Sequence, residues 1–351
     1  ELENAGVVVR MPANWRANRP ARPRVTATIG ASAPTTMGLD ELLDFHVDVT
    51  LEGKPLTEEE IAALLAGTET LVLLRGQWVE VDRERMELAM RQFKEAETLA
   101  AENGLTFTEA MRMLAGAAIT EDSKDSDVAD WSQVTAGPFL ARTLKALGSP
   151  DGRDVDPGPA LKGILRPYQK AGVQWLHLLS RLGLGACLAD DMGLGKTIQV
   201  LSLLLVLGRK DRTKQPSLLV APASLLANWM AELERFAPSL NALIVHPSAM
   251  TADRMKQLTP EQFEDFALVI TSYGTLLRSS ALAETKWRLL VLDEAQAIKN
   301  PKAKQTKAAK GLKANARIAL TGTPVENHLG DLWSIFDFIN PGLLGTSRQF
   351  S

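Results

Sequence analysis

The chain has 351 residues, 45% of them hydrophobic and 23% charged, and its formal net charge is −3 at pH 7. This length allows two domains, and because neither a signal peptide nor a run of roughly eighteen apolar residues appears, we expect a soluble intracellular protein. The single cysteine, Cys187, excludes an internal disulfide, and four histidines offer no metal-ligand spacing.

The first part of the chain carries short strand and helix signals. Residues 1–36 are rich in Pro, Arg and Ala, which indicates an irregular or extended segment. Residues 45–50 alternate like a half-buried strand, and Thr57 with Glu60 makes a capping box for a helix ending near Leu65. The later elements predicted are a hairpin over 71–81, a helix from Asp82 toward Ala101 and a helix over 108–114. Together these signals predict a small α+β domain with no catalytic constellation.

A linker is expected over residues 149–160, which contain the turn-forming pairs Pro150-Asp151 and Pro157-Gly158. We therefore divide the chain into an accessory domain, 1–155, and a second domain, 156–351.

The second domain alternates apolar strand signals with helical stretches. The strands are predicted at about 185–189, 217–221, 243–246, 267–271, 289–293 and 317–321. Such alternation predicts an α/β fold with a mainly parallel sheet, helices on both faces and a ligand at the carboxyl ends of the strands.

A glycine-bearing loop follows the first of these strands. Gly193 and Gly195 let backbone N–H groups approach phosphate oxygens at the start of a helix. Lys196 is expected to reach the β- and γ-phosphates, and the Thr197 hydroxyl to bind Mg²⁺. Asp190 stands where the usual phosphate-loop pattern has its first glycine. The residues predicted to line the nucleotide are Met192, Gly193, Leu194, Gly195, Lys196 and Thr197.

Two carboxylates end the apolar strand 289–292. Adjacent strand residues point to opposite sides, so Asp293 and Glu294 can have different roles. We expect Asp293 to hold Mg²⁺ and Glu294 to orient and deprotonate the attacking water, with Lys196 as the third catalytic residue.

The run from Asp190 to Thr197, taken with Asp293-Glu294-Ala295-Gln296, resembles motifs I and II of the SWI/SNF family of double-stranded DNA translocases, in helicase superfamily two. That family usually carries an acidic residue where this chain has Asp190. The departure from the standard phosphate loop therefore supports the resemblance.

Four further segments resemble family motifs in the family's order, within residues 160–345. Leu165 to Gln169 resembles the Q motif, so the resemblance implies that Gln169, beside Arg166, contacts the adenine of ATP. Residues 218–229 and 269–276 resemble motifs Ia and Ib, which in this family grip the phosphates of one DNA strand. Residues 319–327 resemble motif III, which couples the ATP site to DNA. The residues implied are Ser224, Asn228, Trp229, Thr271, Ser272 and Tyr273 for DNA, and Thr321, Gly322 and Thr323 for coupling.

The resemblance implies a RecA-like lobe that uses ATP and Mg²⁺ to move on double-stranded DNA in the bacterial cytoplasm, on the nucleoid. Residues 1–155 resemble, more weakly, the accessory domain of bacterial members, which could dock a protein partner. Because the chain starts at Glu1 and stops at Ser351, we expect a fragment lacking the second lobe and its arginine, with weak or no hydrolysis alone.

Two alternatives remain open. The chain could be a non-catalytic scaffold or partner-binding module, although Lys196, Thr197, Asp293 and Glu294 argue against that interpretation. It could also belong to a strand-separating helicase, which shares the first two motifs.

A basic segment precedes the last strand. It contains Lys299, Lys302, Lys304, Lys307, Lys310, Lys313 and Arg317 and no acidic residue. The spacing of three from Lys304 to Lys313 predicts one helical stripe, which is either a solvated face or an accessory surface for DNA phosphates.

Overall fold

The computed structural model describes residues 20–32, 43–67, 69–114, 131–148, 155–210, 215–322 and 329–345. The described residues up to Arg142 form one compact unit and those from Thr143 onward form another. Composition places the linker at 149–160, of which 149–154 lie outside the described residues. The domain limits 1–155 and 156–351 therefore stay a prediction.

The first unit is built on a mixed sheet with the order β3-β2-β1-β6 among the described strands. Strand β1 pairs antiparallel with β2 and parallel with β6. The strands are β1 (Pro23–Ile29), β2 (Phe45–Leu51), β3 (Lys54–Pro55), β4 (Leu71–Leu74), β5 (Gln77–Glu80) and β6 (Ser132–Ala136). The helices are α1 (Glu58–Ala66), α2 (Arg83–Asn103), α3 (Phe107–Leu114) and α4 (Pro138–Gly148), which spans the division between the units.

Local sequence signals account for much of this unit. The Thr57 hydroxyl accepts from the backbone N–H of Glu60, and the Glu60 carboxylate accepts from the N–H of Thr57, so the capping box begins α1. Asp82 caps α2 by accepting from the N–H of Arg85. Of the residues 1–36, expected to be irregular or extended, the structure describes 20–32, and these include the regular strand β1, whose Val25 side chain is fully buried.

The second unit contains a parallel sheet with the described strand order β7-β12-β11-β8-β10-β9. Its strands are β7 (Ala186–Leu188), β8 (Ser217–Ala221), β9 (Ala242–Val245), β10 (Leu268–Ser272), β11 (Lys286–Leu292) and β12 (Lys313–Leu320). Its helices are α5 (Pro167–Arg181), α6 (Lys196–Lys210), α7 (Leu226–Phe236), α8 (Ala252–Lys256), α9 (Tyr273–Leu276), α10 (Ser280–Glu284), α11 (Lys304–Gly311) and α12 (Leu329–Ile339). The predicted parallel sheet is confirmed, and each predicted strand is present within a few residues.

Alternate residues of the central strands feed two hydrophobic clusters. Leu219 belongs to the cluster that contains Leu201 of α6 and Trp229 of α7. Leu218 belongs to the cluster that contains Phe338 of α12. Since successive strand residues point to opposite faces, helices cover both faces of the sheet, as the sequence predicts.

The end of α12 is fastened to the chain just before β7. The Gly185 N–H donates to the Asn340 side-chain oxygen at 2.8 Å, and the Asn340 amide donates back to the Gly185 carbonyl at 3.4 Å. A Cβ at Gly185 would lie 2.1 Å from the Ile339 carbonyl oxygen, so only glycine allows this approach. Helix α12 ends at Ile339, directly before the run Asn340-Pro341-Gly342.

None of the helices in the described ranges combines the length and the apolarity that a bilayer-spanning helix needs.

Candidate nucleotide site

The phosphate loop joins β7 to α6 at the carboxyl edge of the sheet. Gly193 and Gly195 have φ of +82° and +79°, a region that side chains with a Cβ rarely adopt. A Cβ at Gly195 would also lie 2.5 Å from the side-chain nitrogen of Gln169. Met192, which precedes Gly193, is 80% exposed, and Leu194, which lies between the two glycines, is 37% exposed. The loop therefore presents backbone and two apolar side chains to solvent.

Lys196 begins α6 and directs its ammonium back into the loop. Its Nζ donates to the Asp190 carbonyl at 2.6 Å and to the Asp191 carbonyl at 3.2 Å. Thr197 follows in the first helical turn and is half-buried. Because a charged phosphate oxygen is a stronger acceptor than a neutral carbonyl, the ammonium can transfer from these carbonyls to a phosphate.

Asp190, the residue that departs from the standard phosphate loop, has a structural partner. The fully buried Gln199 donates from its amide to Asp190 Oδ2 at 2.9 Å. The amide oxygen of Gln199 lies against Gly172, where an added Cβ would be only 2.0 Å away. Gln199 was not predicted as a site residue. Its place in the sequence could have indicated a role, because Gln199 lies nine residues after Asp190, in the helix that follows the phosphate loop.

The Q-motif residues lie beside the loop. The Gln169 side-chain oxygen accepts from the Arg166 backbone N–H at 2.9 Å, and its nitrogen donates to the Leu194 carbonyl at 3.0 Å. The Tyr168 hydroxyl donates to the same carbonyl at 2.9 Å. Gln169 is buried and ties α5 to the phosphate loop, whereas the Arg166 side chain is exposed. Recognition of adenine by Gln169 stays a prediction.

Asp293 follows β11 and is held by donors from two directions. The Trp229 indole nitrogen donates to Asp293 Oδ2 at 2.7 Å, and the Glu294 N–H donates to Oδ1 at 3.0 Å. Burial raises the pKa of Asp293, and the indole hydrogen bond and the charge of Lys196 oppose that rise. The Tyr273 hydroxyl donates to the Asp293 carbonyl at 2.8 Å, and burial raises the pKa of Tyr273.

Glu294 has a left-handed backbone, with φ of +50° and ψ of +57°. This conformation costs a non-glycine residue about 1 kcal/mol or more and commonly marks a functional site. The Gln296 amide donates to Glu294 Oε2 at 2.5 Å, and the Thr321 hydroxyl donates to the Gln296 oxygen at 3.1 Å. A continuous polar chain therefore runs from Glu294 to the end of β12. The sequence motif contains Gln296, but the sequence alone assigns it no role.

The motif III segment reaches the phosphate loop. The Thr321 N–H donates to the Leu188 carbonyl at 3.2 Å, and a Cβ at Gly322 would lie 3.2 Å from the Met192 side chain. Thr323, the third predicted coupling residue, lies outside the described residues.

The six predicted DNA contacts separate into two groups. Ser224 and Asn228 are exposed at the carboxyl end of β8 and on α7. The other four are buried, and their polar atoms bond inside the lobe: Trp229 to Asp293, Thr271 to the Val245 carbonyl, Ser272 to the N–H of Thr275, and Tyr273 to the Asp293 carbonyl. In this structure these four side chains make their hydrogen bonds inside the lobe, and their contact with DNA stays a prediction.

The predicted basic stripe is interrupted. Helix α11 ends at Gly311, and Lys313 begins β12, so Lys313 does not continue a helical face. Lys310 donates to Asp337 at 2.7 Å and lies 4.8 Å from the centre of the Trp333 ring. Arg317 donates to the Phe338 and Leu312 carbonyls, and burial lowers its pKa.

Magnesium fits the donor chemistry of this edge. A Thr197 hydroxyl and an Asp293 carboxylate are hard oxygen ligands of the kind that Mg²⁺ takes together with phosphate and water. Within the described ranges, no group of three or more His, Cys, Asp or Glu side chains is arranged to hold a metal. Cys187, which precedes the loop, has its pKa raised to about 11 by burial, so the thiol form prevails at neutral pH.

The parallel sheet, the phosphate loop after its edge strand and the Asp–Glu pair after β11 together define a RecA-like phosphate-loop lobe. A family model described as "SNF2-related domain" matches residues 168–351, and one described as "SNF2 Helicase protein" matches residues 1–115. The chain belongs to the SNF2 family.

Several known proteins are similar to it. An ATP-dependent helicase/translocase of Bacillus subtilis (strain 168), by its assigned name YwqA, is 37% identical over 99% of this chain and 38% of its own length. The Zorya protein ZorD of Escherichia coli O139:H28 is 41% identical over 53% of this chain and 19% of its own length. The Sulfolobus solfataricus SWI2/SNF2 ATPase core in complex with dsDNA is 46% identical, with a TM-score of 0.50, over 54% of this chain and 39% of that one. This chain thus spans well under half the length of each.

Proposed function

We propose that the chain supplies the first RecA-like lobe of an ATP-dependent translocase that moves on double-stranded DNA without separating its strands. The observation that carries this proposal is the meeting of Lys196, Asp293 and the Glu294–Gln296–Thr321 chain at one edge of the sheet. Membership of the SNF2 family and the similarity to a SWI2/SNF2 core bound to dsDNA support it. A second lobe would complete the site with an arginine that stabilises the transferring phosphoryl group.

The nucleotide would be held by the loop residues. Backbone N–H groups of Gly193 and Gly195 face the phosphates, and Lys196 leaves the Asp190 carbonyl to bind the β- and γ-phosphates. Gln169 and Arg166 contact the base side of the nucleotide. Thr197 and Asp293 hold Mg²⁺, which supplies charge neutralisation at the phosphates.

Glu294 would act on water. Its left-handed backbone and the Gln296 amide fix the carboxylate, which orients the water and accepts its proton as the γ-phosphoryl bond breaks. Since Gln296 also accepts from Thr321, a movement of the motif III segment changes the hydrogen bonding of Glu294. Through the hydrogen bonds from Thr321 to Gln296 and from Gln296 to Glu294, DNA binding can change the rate of ATP hydrolysis.

DNA contact would begin at the exposed Ser224 and Asn228. Both lie where the carboxyl end of β8 meets α7, and hydroxyl and amide groups there suit contacts with DNA phosphates, which position a protein without reading sequence. We place the protein in the cytoplasm and on the nucleoid when it is bound to DNA.

Residues 1–155 would form the accessory domain and could dock a protein partner. Leu73 and Trp78 face each other across the β4–β5 hairpin and are 59% and 41% exposed, which supports such a role. Co-purification from the native host should lose the partner on Leu73→Ser with Trp78→Ser. Retention of every co-purifying protein would contradict this role.

The test of the translocase uses the full-length protein. ATP hydrolysis should rise on addition of duplex DNA, and Lys196→Ala should abolish hydrolysis with and without DNA. Displacement of a third strand from a DNA triplex should occur without unwinding of a plain duplex. Absence of DNA stimulation would overturn the proposal, and unwinding of a duplex would favour a strand-separating helicase instead. Nucleotide binding should also be measured. Binding by the wild-type protein that is lost in Lys196→Ala would favour a motor, and absence of binding would favour a non-catalytic scaffold.

A further inference from the structure

Trp229 is expected from the motif pattern to lie on the DNA side, yet the structure places it in the interior. The residue is only 2% exposed and packs in the cluster formed by α6, α7 and the central strands. Its indole N–H, a donor with no acceptor capacity, points to Asp293 Oδ2 at 2.7 Å. A buried aromatic ring thus makes a short hydrogen bond to a carboxylate that lies 64 residues further along the chain.

Packing fixes the position of this donor. The apolar body of the ring contacts a core that also includes Leu226 and Leu233 of α7, so the indole cannot swing away without opening a cavity. Asp293 Oδ1 accepts from the Glu294 N–H at 3.0 Å. With one donor on each oxygen, the Asp293 carboxylate has a single orientation, and its remaining lone pairs are aimed by the protein.

The helix that carries Trp229 also has an outer face. Asn228, the neighbouring residue, is exposed, and Ser224 is exposed just before the helix. Helix α7 therefore connects a surface segment to the orientation of Asp293 through one indole hydrogen bond.

We propose that Trp229 is a positioning residue that orients the Asp293 carboxylate for the divalent cation bound with the nucleotide. This inference rests on the proposed function, because it concerns the same nucleotide site. It assigns Trp229 to the cation side of the lobe and not to the DNA surface.

The test measures how much Mg²⁺ tightens nucleotide binding to the full-length protein. The affinity for a fluorescent ADP analogue is determined with Mg²⁺ and with EDTA, and the ratio of the two dissociation constants is the readout. Trp229→Phe removes the N–H, and we expect the ratio to fall roughly tenfold, the size expected for loss of a hydrogen bond to a charged group. The affinity in EDTA should stay within about twofold of wild type, because no phosphate contact is lost.

Trp287→Phe is the matched control. Trp287 is also fully buried, and its indole donates to the Leu282 backbone carbonyl at 3.0 Å, away from the phosphate loop. This variant should lower the thermal midpoint but keep the wild-type Mg²⁺ ratio. A residue that acted only through packing would give the same result at both positions.

A second substitution keeps the ring shape. Replacing Trp229 by benzothienylalanine substitutes sulfur for the indole N–H, so the core stays filled while the donor is lost. The Mg²⁺ ratio should fall as for Trp229→Phe with the thermal midpoint retained. An unchanged ratio in this variant, or an equal fall in Trp287→Phe, would overturn the inference and leave the proposed function intact. A wild-type protein that bound no nucleotide would overturn both.

Discussion

The nucleotide edge of the second unit and the surface of the first unit use polar side chains differently. At the nucleotide edge, Asp190 pairs with the buried Gln199, and Asp293 pairs with the buried Trp229. In the first unit, the Arg75–Glu60 pair lies on the surface, with a shortest distance of 2.6 Å. The apolar core of that unit takes no part in the pair.

This difference follows from the cost of desolvation. A polar group inside a protein destabilises the fold unless it is paired, whereas an exposed ion pair contributes little because water and salt screen it. A chain keeps buried polar pairs where chemistry requires their groups in fixed positions. The same kind of substitution should therefore have a large effect at one place and almost none at the other.

The largest expected difference concerns Glu294. In the full-length protein, Glu294→Gln removes the proton acceptor while keeping the hydrogen-bonding shape, so ATP hydrolysis should fall by about 10²–10⁴-fold with nucleotide affinity retained. Steady-state hydrolysis and equilibrium nucleotide binding measure the two effects. Glu284→Gln, at an exposed position of α10, is the control and should hydrolyse ATP at the wild-type rate. Hydrolysis above a tenth of wild type in Glu294→Gln would remove Glu294 from its assigned role.

Stability should respond next most strongly at Asp190. Asp190→Ala leaves the buried Gln199 amide with only the Gly195 carbonyl, 3.5 Å away, as an acceptor. We expect a loss of about 1–3 kcal/mol in the free energy of unfolding. Asp190→Asn keeps an oxygen acceptor and should lose less. Urea unfolding of the three proteins measures the differences. Equal free energies of unfolding for Asp190→Ala and wild type would show that the hydrogen bond from Gln199 to Asp190 does not stabilise the fold.

Substitution of Thr321 should have a smaller effect, on the coupling between DNA binding and ATP hydrolysis. Thr321→Val removes the hydroxyl that donates to Gln296 while keeping the side-chain volume, so the polar chain from Glu294 is cut. We expect the stimulation of hydrolysis by duplex DNA to fall by about fivefold, a typical coupling energy of about 1 kcal/mol. Thr143→Val, in the buried part of α4, serves as the control. An unaltered stimulation factor in Thr321→Val would place coupling elsewhere.

The smallest effect is expected in the first unit. The Arg75 guanidinium and the Thr57 N–H hold the pKa of Glu60 at about 2. Because this folded-state pKa lies below the usual value for glutamate, the pair's contribution is present above about pH 4 and is lost as the pH falls toward 2. Glu60→Gln should leave the free energy of urea unfolding almost unchanged at pH 7, since the pair is exposed. A loss of unfolding free energy as large as that of Asp190→Ala would remove the contrast between the two regions.

Sequence patterns predicted the second unit well because its strands are continuous apolar runs, as in β11. In the first unit, β1 was missed, and so were β6 and α4. Strand β1 begins at Pro23 in a Pro- and Arg-rich stretch, and it is stabilised by pairing with β6, more than a hundred residues away in sequence. Local pattern cannot predict such pairings.

The same limit applies to the site. Lys196, Asp293 and Glu294 could be found because each follows an apolar strand in a recognisable motif. Gln199 and Gln296 could not be given partners, because a hydrogen bond between side chains depends on tertiary placement. For the same reason the motif pattern could not show that α7 turns the Trp229 side chain into the core, where its indole bonds to Asp293.

The clasp between Asn340 and Gly185 has a mechanical consequence. Its two hydrogen bonds join the end of α12 to the chain immediately before β7, and β7 leads into the phosphate loop. A pull on the chain beyond α12 would load these bonds before it strained the sheet, because Asn340 is the first residue after the helix. The pulling force would therefore act at Gly185, five residues before Asp190 and close to the start of the phosphate loop.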